Sequence, residues 1–157
     1  MNILGQPAIH PGLFYSGKIS GYFTWVILLA GVTGIQLVEC HNFSWNRPVS
    51  VVLLISGLIF IVLSSIYLGK STRLGLPSEE TDLKTAGIYR YSRNPMYLGF
   101  NLITLSSALF SMNMIILVPG LYSIVIYHFI ILGEERFLSK RFGREYLDYK
   151  EKVRRYL

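Results

Sequence analysis

Long stretches without a charged residue constrain this chain more than any other feature. Three of them, residues 22–38, 49–69 and 112–132, contain 17, 21 and 21 residues. A helix needs about 20 apolar residues to cross the hydrocarbon core of a bilayer, so each stretch predicts a membrane-spanning helix. The shorter stretch of residues 96–110 is interpreted as a fourth span.

The last two predicted spans are separated only by Ser111 to Asn113. One continuous helix through both would be too long for a bilayer, so they are predicted to form a helical hairpin. The predicted fold is therefore all-α: a polytopic membrane bundle of about four transmembrane helices with a cytoplasmic C-terminal helix, in a single domain over residues 1–157.

The distribution of charge decides which side each end lies on. Of the 15 Lys and Arg residues, five lie in residues 70–94 and eight follow residue 132. Four spans place both basic segments on one side, which the positive-inside rule identifies as cytoplasmic together with both termini. The net charge of +6 would suggest nucleic acid on a soluble protein. Here the basic residues flank apolar spans, which excludes nucleic acid as a partner and makes the lipid bilayer the expected one.

Chemistry is expected in the two cytoplasmic regions, residues 70–95 and 133–157, which are too short to fold alone. No metal site is predicted, because Cys40 is the only cysteine. In the first region Asn94 and Pro95 predict the N-cap and first residue of a helix whose free N–H groups face the cytoplasm. Nearby tyrosines are typical of a membrane-interface belt and also suit contact with a flat ring or a cation: Tyr89, Tyr91 and Tyr97.

Two adjacent carboxylates, Glu134 and Glu135, follow the last predicted span. Unpartnered acids are costly at that position, and the C-terminal end of the helix dipole disfavours them. Two interpretations stay open: the pair forms ion pairs with Arg90 or Arg93, or it binds a cationic ligand. The tail that follows alternates basic and apolar residues, a pattern typical of a helix lying at the membrane surface.

The order of these motifs carries a resemblance. Gly-Ile-Tyr-Arg-Tyr-Ser-Arg-Asn-Pro-Met-Tyr-Leu-Gly, then a hairpin, then Glu-Glu and Phe-Gly-Arg-Glu-Tyr-Leu-Asp-Tyr-Lys, resembles the integral-membrane methyltransferases of the isoprenylcysteine carboxyl methyltransferase and phospholipid methyltransferase superfamily. The resemblance covers about residues 80 to 157. It implies S-adenosyl-L-methionine as the cofactor, held at the cytoplasmic face, and a small or lipidic methyl acceptor that arrives from the bilayer. The cofactor-binding residues that it implies are Thr81, Asp82, Leu83, Lys84, Tyr89, Asn94, Pro95, Met96, Tyr97 and Glu134.

Two departures bear on the acceptor. Asn94 stands where prenylcysteine enzymes have His, so the motif looks more like the phospholipid-type and prokaryotic members, which implies a prokaryotic cell membrane. An arginine tied to substrate recognition in the prenylcysteine enzymes is replaced by the stretch beginning at His128. The resemblance therefore argues against a prenylcysteine carboxylate acceptor and names no substrate-binding residue.

Neither a catalytic residue nor a single function follows from the residues alone. The plausible proton acceptors near the predicted site are Tyr97, His128 and Glu135. One alternative function is an NADPH-dependent membrane reductase, because sterol reductases end in a similar hairpin and Tyr-rich tail. Another is a non-enzymatic membrane protein whose basic tail binds anionic lipid.

Overall fold

A computed structural model describes residues 6–41, 43–69 and 82–157. Within these ranges the chain is helical, which confirms the predicted all-α class for the part described. Thr81, one of the predicted cofactor residues, lies outside the described residues, as do residues 70–80 of the predicted region 70–95. The helices are α1 Pro11–Val32, α2 Asn46–Leu68, α3 Pro95–Ser111, α4 Met114–Phe142 and α5 Arg144–Lys152, with a short 3₁₀ turn at Gly87–Arg90.

The four long helices pack as two close pairs, α2 against α3 and α1 against α4, and α3 joins the pairs by contacting both α1 and α4. Glycines allow the close approach of α2 and α3. A Cβ atom added to Gly99 would lie 2.7 Å from the carbonyl oxygen of Gly57, so only a residue without a side chain fits there. Between the same helices the Ser50 hydroxyl donates to the carbonyl of Ser106 at 3.0 Å.

The surfaces of α2 and α4 are those of a membrane protein. Both helices are long and apolar enough to cross a bilayer, with mean hydropathies of 2.7 and 2.3. Their outward side chains include Val52, Ile66 and Val118, each more than 60% exposed. Apolar surface on this scale needs an apolar environment, and the helices satisfy their backbone hydrogen bonds internally, as that environment requires.

The prediction for the first span was wrong in its bounds. Instead of covering residues 22–38, α1 begins at Pro11 and ends at Val32, with Gly34 at a φ of 89° in the turn that follows. The prediction started after Lys18 because a charge was taken to end an apolar stretch. Lys18 lies within α1, and packing of α1 against α4 buries its side chain. Its charge therefore does not mark the start of the helix.

The predicted hairpin is confirmed. The helix α3 ends at Ser111, and Met112 takes a left-handed conformation with a φ of 47°. The Asn113 side chain then caps α4 by accepting from the Ile115 N–H at 2.9 Å. A three-residue connection therefore reverses the chain, and the predicted spans 49–69 and 96–110 match α2 and α3 to within a few residues.

The tail differs from the surface helix that its pattern suggested. Helix α4 continues past the predicted span 112–132 to Phe142, and Gly143, with a φ of 53°, separates it from the short α5. Tyr146 and Tyr149 of α5 are buried within the protein. Periodicity identifies the apolar face of a helix but not its partner, which here is protein rather than lipid.

Candidate functional site

Predicted site residues from both sides of the hairpin meet at one end of the bundle. We call this end, formed by residues 82–97 and 133–157, the charged end. Because α3 begins here and α4 passes it, Tyr97 and Glu134 face each other across the hairpin. The Tyr97 hydroxyl donates to Glu134 Oε1 at 2.6 Å. Two residues 37 positions apart, which the sequence assigned to one site only by resemblance, are therefore in direct contact.

Glu135 has different partners from its neighbour. It accepts from Arg93 Nη2 at 2.8 Å and from Arg155 Nε and Nη2 at 3.0 and 2.9 Å. Glu135 is only 4% exposed, so its charge is compensated inside the protein. The interpretation as an ion pair is thus correct for Glu135 with Arg93, whereas Arg90 is exposed.

Arg93 also fastens the C-terminal segment, residues 153–157, to the start of the hairpin. Its Nη1 donates to the carbonyl of Val153 at 2.7 Å and to that of Lys150 at 3.0 Å. Its backbone N–H donates to the carbonyl of Arg154 at 3.0 Å. One arginine therefore joins the hairpin, α4, α5 and the C-terminal segment.

Asn94 takes the predicted N-cap position, but its side chain does not cap the helix. The Asn94 carbonyl accepts the Leu98 N–H at 3.1 Å, while Nδ2 donates to the carbonyl of Arg155 at 3.2 Å. The sequence did not predict this side-chain contact, because the capping pattern involves only neighbouring residues, whereas the Arg155 carbonyl is 61 residues away. The first turn of α3 thus carries N–H groups that the Asn94 side chain leaves open. Pro95 and Met96 follow in that turn.

Tyr89 lies buried in the 3₁₀ turn under α5, where its carbonyl oxygen accepts from the Tyr149 hydroxyl at 2.6 Å. Burial raises the pKa of Tyr89 to about 12, with a hydrogen bond to Ser64 acting in the opposite direction. Burial likewise raises the pKa of Tyr146 to about 12, helped by the nearby negative charge of Glu135. Both phenols are therefore neutral near pH 7 and serve as hydrogen-bonding apolar groups.

The approach residues 82–84 precede the 3₁₀ turn at Gly87–Arg90. Asp82 pairs with Lys84 at 3.5 Å, and its side chain is 93% exposed. Leu83 is half-buried. An ion pair this exposed contributes little to stability, and none of the three side chains is buried.

Lys18 and the aromatic wall beside Tyr97 were not predicted from the sequence. Lys18 is 8% exposed and lies near enough to Glu134 for their opposite charges to attract. The ring centroids of Phe100 and Tyr127 lie 5.9 and 5.7 Å from that of Tyr97. A lysine one residue after Gly17 and three before Gly21 could have signalled a buried position, because small residues mark the packed face of a membrane helix.

The similarity to known proteins includes the helices α2, α3 and α4. The family model described as phospholipid methyltransferase matches residues 45–145. Protein-S-isoprenylcysteine O-methyltransferase of Saccharomyces cerevisiae is 37% identical over 79 residues, which are 48% of this chain and 32% of that protein. Protein-S-isoprenylcysteine O-methyltransferase A of Arabidopsis thaliana is 28% identical over 138 residues, which are 84% of this chain and 65% of that protein. The chain thus spans less than two thirds of either relative. Since the family model covers well over half of its length, the chain belongs to the phospholipid methyltransferase family.

Proposed function

We propose that this protein is an S-adenosyl-L-methionine-dependent methyltransferase acting on a lipidic acceptor at the membrane surface. The observation that carries the proposal is that two adjacent carboxylates have different hydrogen-bond partners. Glu135 accepts hydrogen bonds from two arginines. Among the described residues, Glu134 accepts a side-chain hydrogen bond only from the Tyr97 hydroxyl. A partly exposed carboxylate is thereby held in place with acceptor capacity to spare.

The chemical groups at the charged end fit that cofactor. S-adenosyl-L-methionine carries amino and hydroxyl donors, which a carboxylate such as Glu134 accepts in charge-assisted hydrogen bonds. Its cationic centre suits an aromatic face such as Tyr97. Bound there, it supplies an electrophilic methyl group on a sulfonium sulfur. The open N–H groups in the first turn of α3 offer further donors for its polar groups.

The chain itself has to bind and orient rather than to perform acid–base chemistry. Holding two reactants in an attack geometry accounts for a large part of the rate of such a transfer. The Tyr97 hydroxyl fixes the Glu134 carboxylate, and the C-terminal segment fixes Asn94. The proposed cofactor-binding set is that of the resemblance, with Thr81, Asp82, Leu83 and Lys84 contributing backbone and Tyr89, Asn94, Pro95, Met96, Tyr97 and Glu134 contributing the wall.

The surroundings of the site support a lipidic acceptor. Exposed apolar side chains cover α2 and α4, so an acceptor with an acyl or prenyl chain can approach through the bilayer. Both relatives are named as isoprenylcysteine O-methyltransferases, which favours methylation of an oxygen on such a molecule. We further propose four crossings with both termini in the cytoplasm of a prokaryotic cell, since that arrangement puts all the basic segments on one side.

Ligand-induced thermal stabilisation of the purified protein in detergent tests this function. We expect S-adenosylhomocysteine to raise the unfolding temperature and NADPH to leave it unchanged. Glu134→Gln should weaken the binding of S-adenosylhomocysteine by about tenfold, the loss expected for a hydrogen bond to a charged group. Glu151→Gln, on the exposed face of α5, is the matched control and should bind normally. Stabilisation by NADPH alone would favour the reductase alternative, and unchanged binding in Glu134→Gln would remove Glu134 from the site.

A further inference from the structure

Lys18 is a buried cation for which the proposed cofactor site has no role. It lies on the face of α1 that packs against α4, between two glycines in tight contact with that helix: a Cβ on Gly17 would collide with Ile126, and one on Gly21 would lie 2.6 Å from the Ser123 hydroxyl. The side chain is 8% exposed. Its Nζ sits 4.3 Å from the centroid of the Phe14 ring. The lysine is thus buried where α1 packs against α4, and it lies near enough to Glu134 for their opposite charges to attract.

Within the part of the chain that the structure describes, this charge lacks a close anion. Among the described residues Lys18 forms no ion pair and no hydrogen bond to a carboxylate, and Glu134, the acid whose charge it attracts, lies beyond ion-pair distance. Cation–π contact with Phe14 offsets only part of the cost of removing an ammonium from water. A buried lysine in this state is stabilised by any oxyanion that binds beside it.

The balance of charge indicates which molecule brings that oxyanion. Glu134 is proposed to face the cationic cofactor, so the positive charge of the bound cofactor offsets the negative charge that Lys18 attracts. An amine acceptor would add a further positive group next to Lys18 and be repelled. An acidic head group would instead leave the filled site near neutrality, with its apolar chain in the bilayer.

We propose that Lys18 determines acceptor specificity by binding the acidic head group, a carboxylate or phosphate, of an amphiphilic acceptor. This inference rests on the proposed function and deepens it, since it names the chemical class of acceptor and the residue that selects it. Lys18 is a specificity-determining residue here, and Glu134 keeps its separate role toward the cofactor.

Binding of three amphiphiles of equal chain length tests the proposal: dodecanoate, dodecyl phosphate and dodecylamine. Dissociation constants are measured by calorimetry on the full chain in a non-ionic detergent, with and without saturating S-adenosylhomocysteine. We expect the wild type to bind at least one of the two acids and to bind the amine at least tenfold more weakly. Whichever acid binds better identifies the head-group class.

Three variants assign the effect to the charge. Lys18→Met keeps the length of the side chain without its charge, suits an apolar bundle, and should bind the preferred acid at least tenfold more weakly. Lys18→Arg should restore most of that affinity. Lys140→Gln, an exposed residue of α4, should bind as the wild type does. Unchanged acid binding in Lys18→Met, or equal binding of acid and amine by the wild type, would overturn the proposal.

Affinity for S-adenosylhomocysteine separates this inference from the function on which it rests. Normal affinity in Lys18→Met also shows that the variant is folded. If Lys18→Met loses S-adenosylhomocysteine while binding dodecanoate normally, the lysine belongs to the cofactor subsite and the proposal is wrong although the methyltransferase function stands. If the wild type binds the acids but not S-adenosylhomocysteine, the proposed function is wrong instead.

Discussion

Arg93 and Glu135 form an ion pair of 2.8 Å in which both side chains are only 6% exposed. It connects the residue just before α3 with the part of α4 that returns to the same end of the bundle. Arg155 adds a second cation to the same carboxylate at 2.9 Å. The neighbouring Glu134 shares none of these bonds, and so two adjacent acids are expected to respond differently to mutation.

Removing the Glu135 charge should destabilise the fold. Glu135→Gln leaves Arg93 buried without a counter-charge, a change that typically costs about 3 kcal/mol or more. Thermal unfolding in detergent checks this. Arg144→Gln, which breaks an exposed pair with Asp148, is the control and should change stability by less than about 1 kcal/mol. Equal effects of the two substitutions would mean that the buried pair does not hold the charged end together.

Removing the Tyr97 hydroxyl should weaken ligand binding more than stability. Tyr97→Phe keeps the aromatic wall but frees the Glu134 carboxylate, so we expect S-adenosylhomocysteine to bind several-fold more weakly. In a double-mutant cycle with Glu134→Gln the two losses should not add, because the Tyr97 hydroxyl acts on the ligand only by holding the Glu134 carboxylate in place. Additive losses measured by calorimetry would show that the two residues act independently.

The Asn94 side chain should govern how firmly the C-terminal segment is held. Asn94→Asp replaces the donor to the Arg155 carbonyl by a second acceptor, so hydrogen exchange should become faster in residues 153–156. Asn113→Asp is the matched control at the opposite end of the hairpin, where an aspartate can still accept the Ile115 N–H and cap α4. Unchanged protection of the C-terminal segment in Asn94→Asp would contradict this assignment.

A methyl group at Gly99 should separate α2 from α3. Because the added Cβ would lie 2.7 Å from the backbone of Gly57, Gly99→Ala is expected to lose about 1–3 kcal/mol, as for other overpacked sites. Gly12→Ala is the helical control. Its nearest contact would be 3.4 Å from the His10 side chain, so it should be neutral or slightly stabilising. Thermal unfolding of both variants distinguishes packing from helix propensity.

Stability should fall in alkaline solution through Tyr89. Its pKa is about 12 in the folded chain against an ordinary value of 10.0, so the unfolded chain loses this proton first. Its contribution is complete below pH 10 and declines between pH 10 and 12, by up to about 1.4 kcal/mol per pH unit. Unfolding temperatures measured from pH 8 to 11 should decline less steeply in Tyr89→Phe, and identical slopes would contradict the assignment.

Local patterns determined the helices and the turn of the hairpin. The uncharged stretches predicted α2 and α3 closely. The cost of removing a charge from water keeps charged residues out of most membrane-spanning helices, so such helices are visible in the sequence. Asn94 and Pro95 marked the start of α3 because N-terminal helix preferences involve only adjacent residues. The family resemblance rested on short motifs of the same local kind. The first helix was misplaced where this logic failed, at a lysine that packing makes tolerable.

Tertiary structure alone decided which charged groups meet. Adjacent residues of a helix point about 100° apart, so Glu134 and Glu135 necessarily face different surroundings, yet nothing local states which one meets the arginines. That depends on how the C-terminal segment returns to Arg93 and Asn94, some 60 residues away in sequence. The burial of Lys18 likewise depends on α1 packing against α4. Side-chain partners at long sequence separation follow from the packing of the whole bundle, which no single segment encodes.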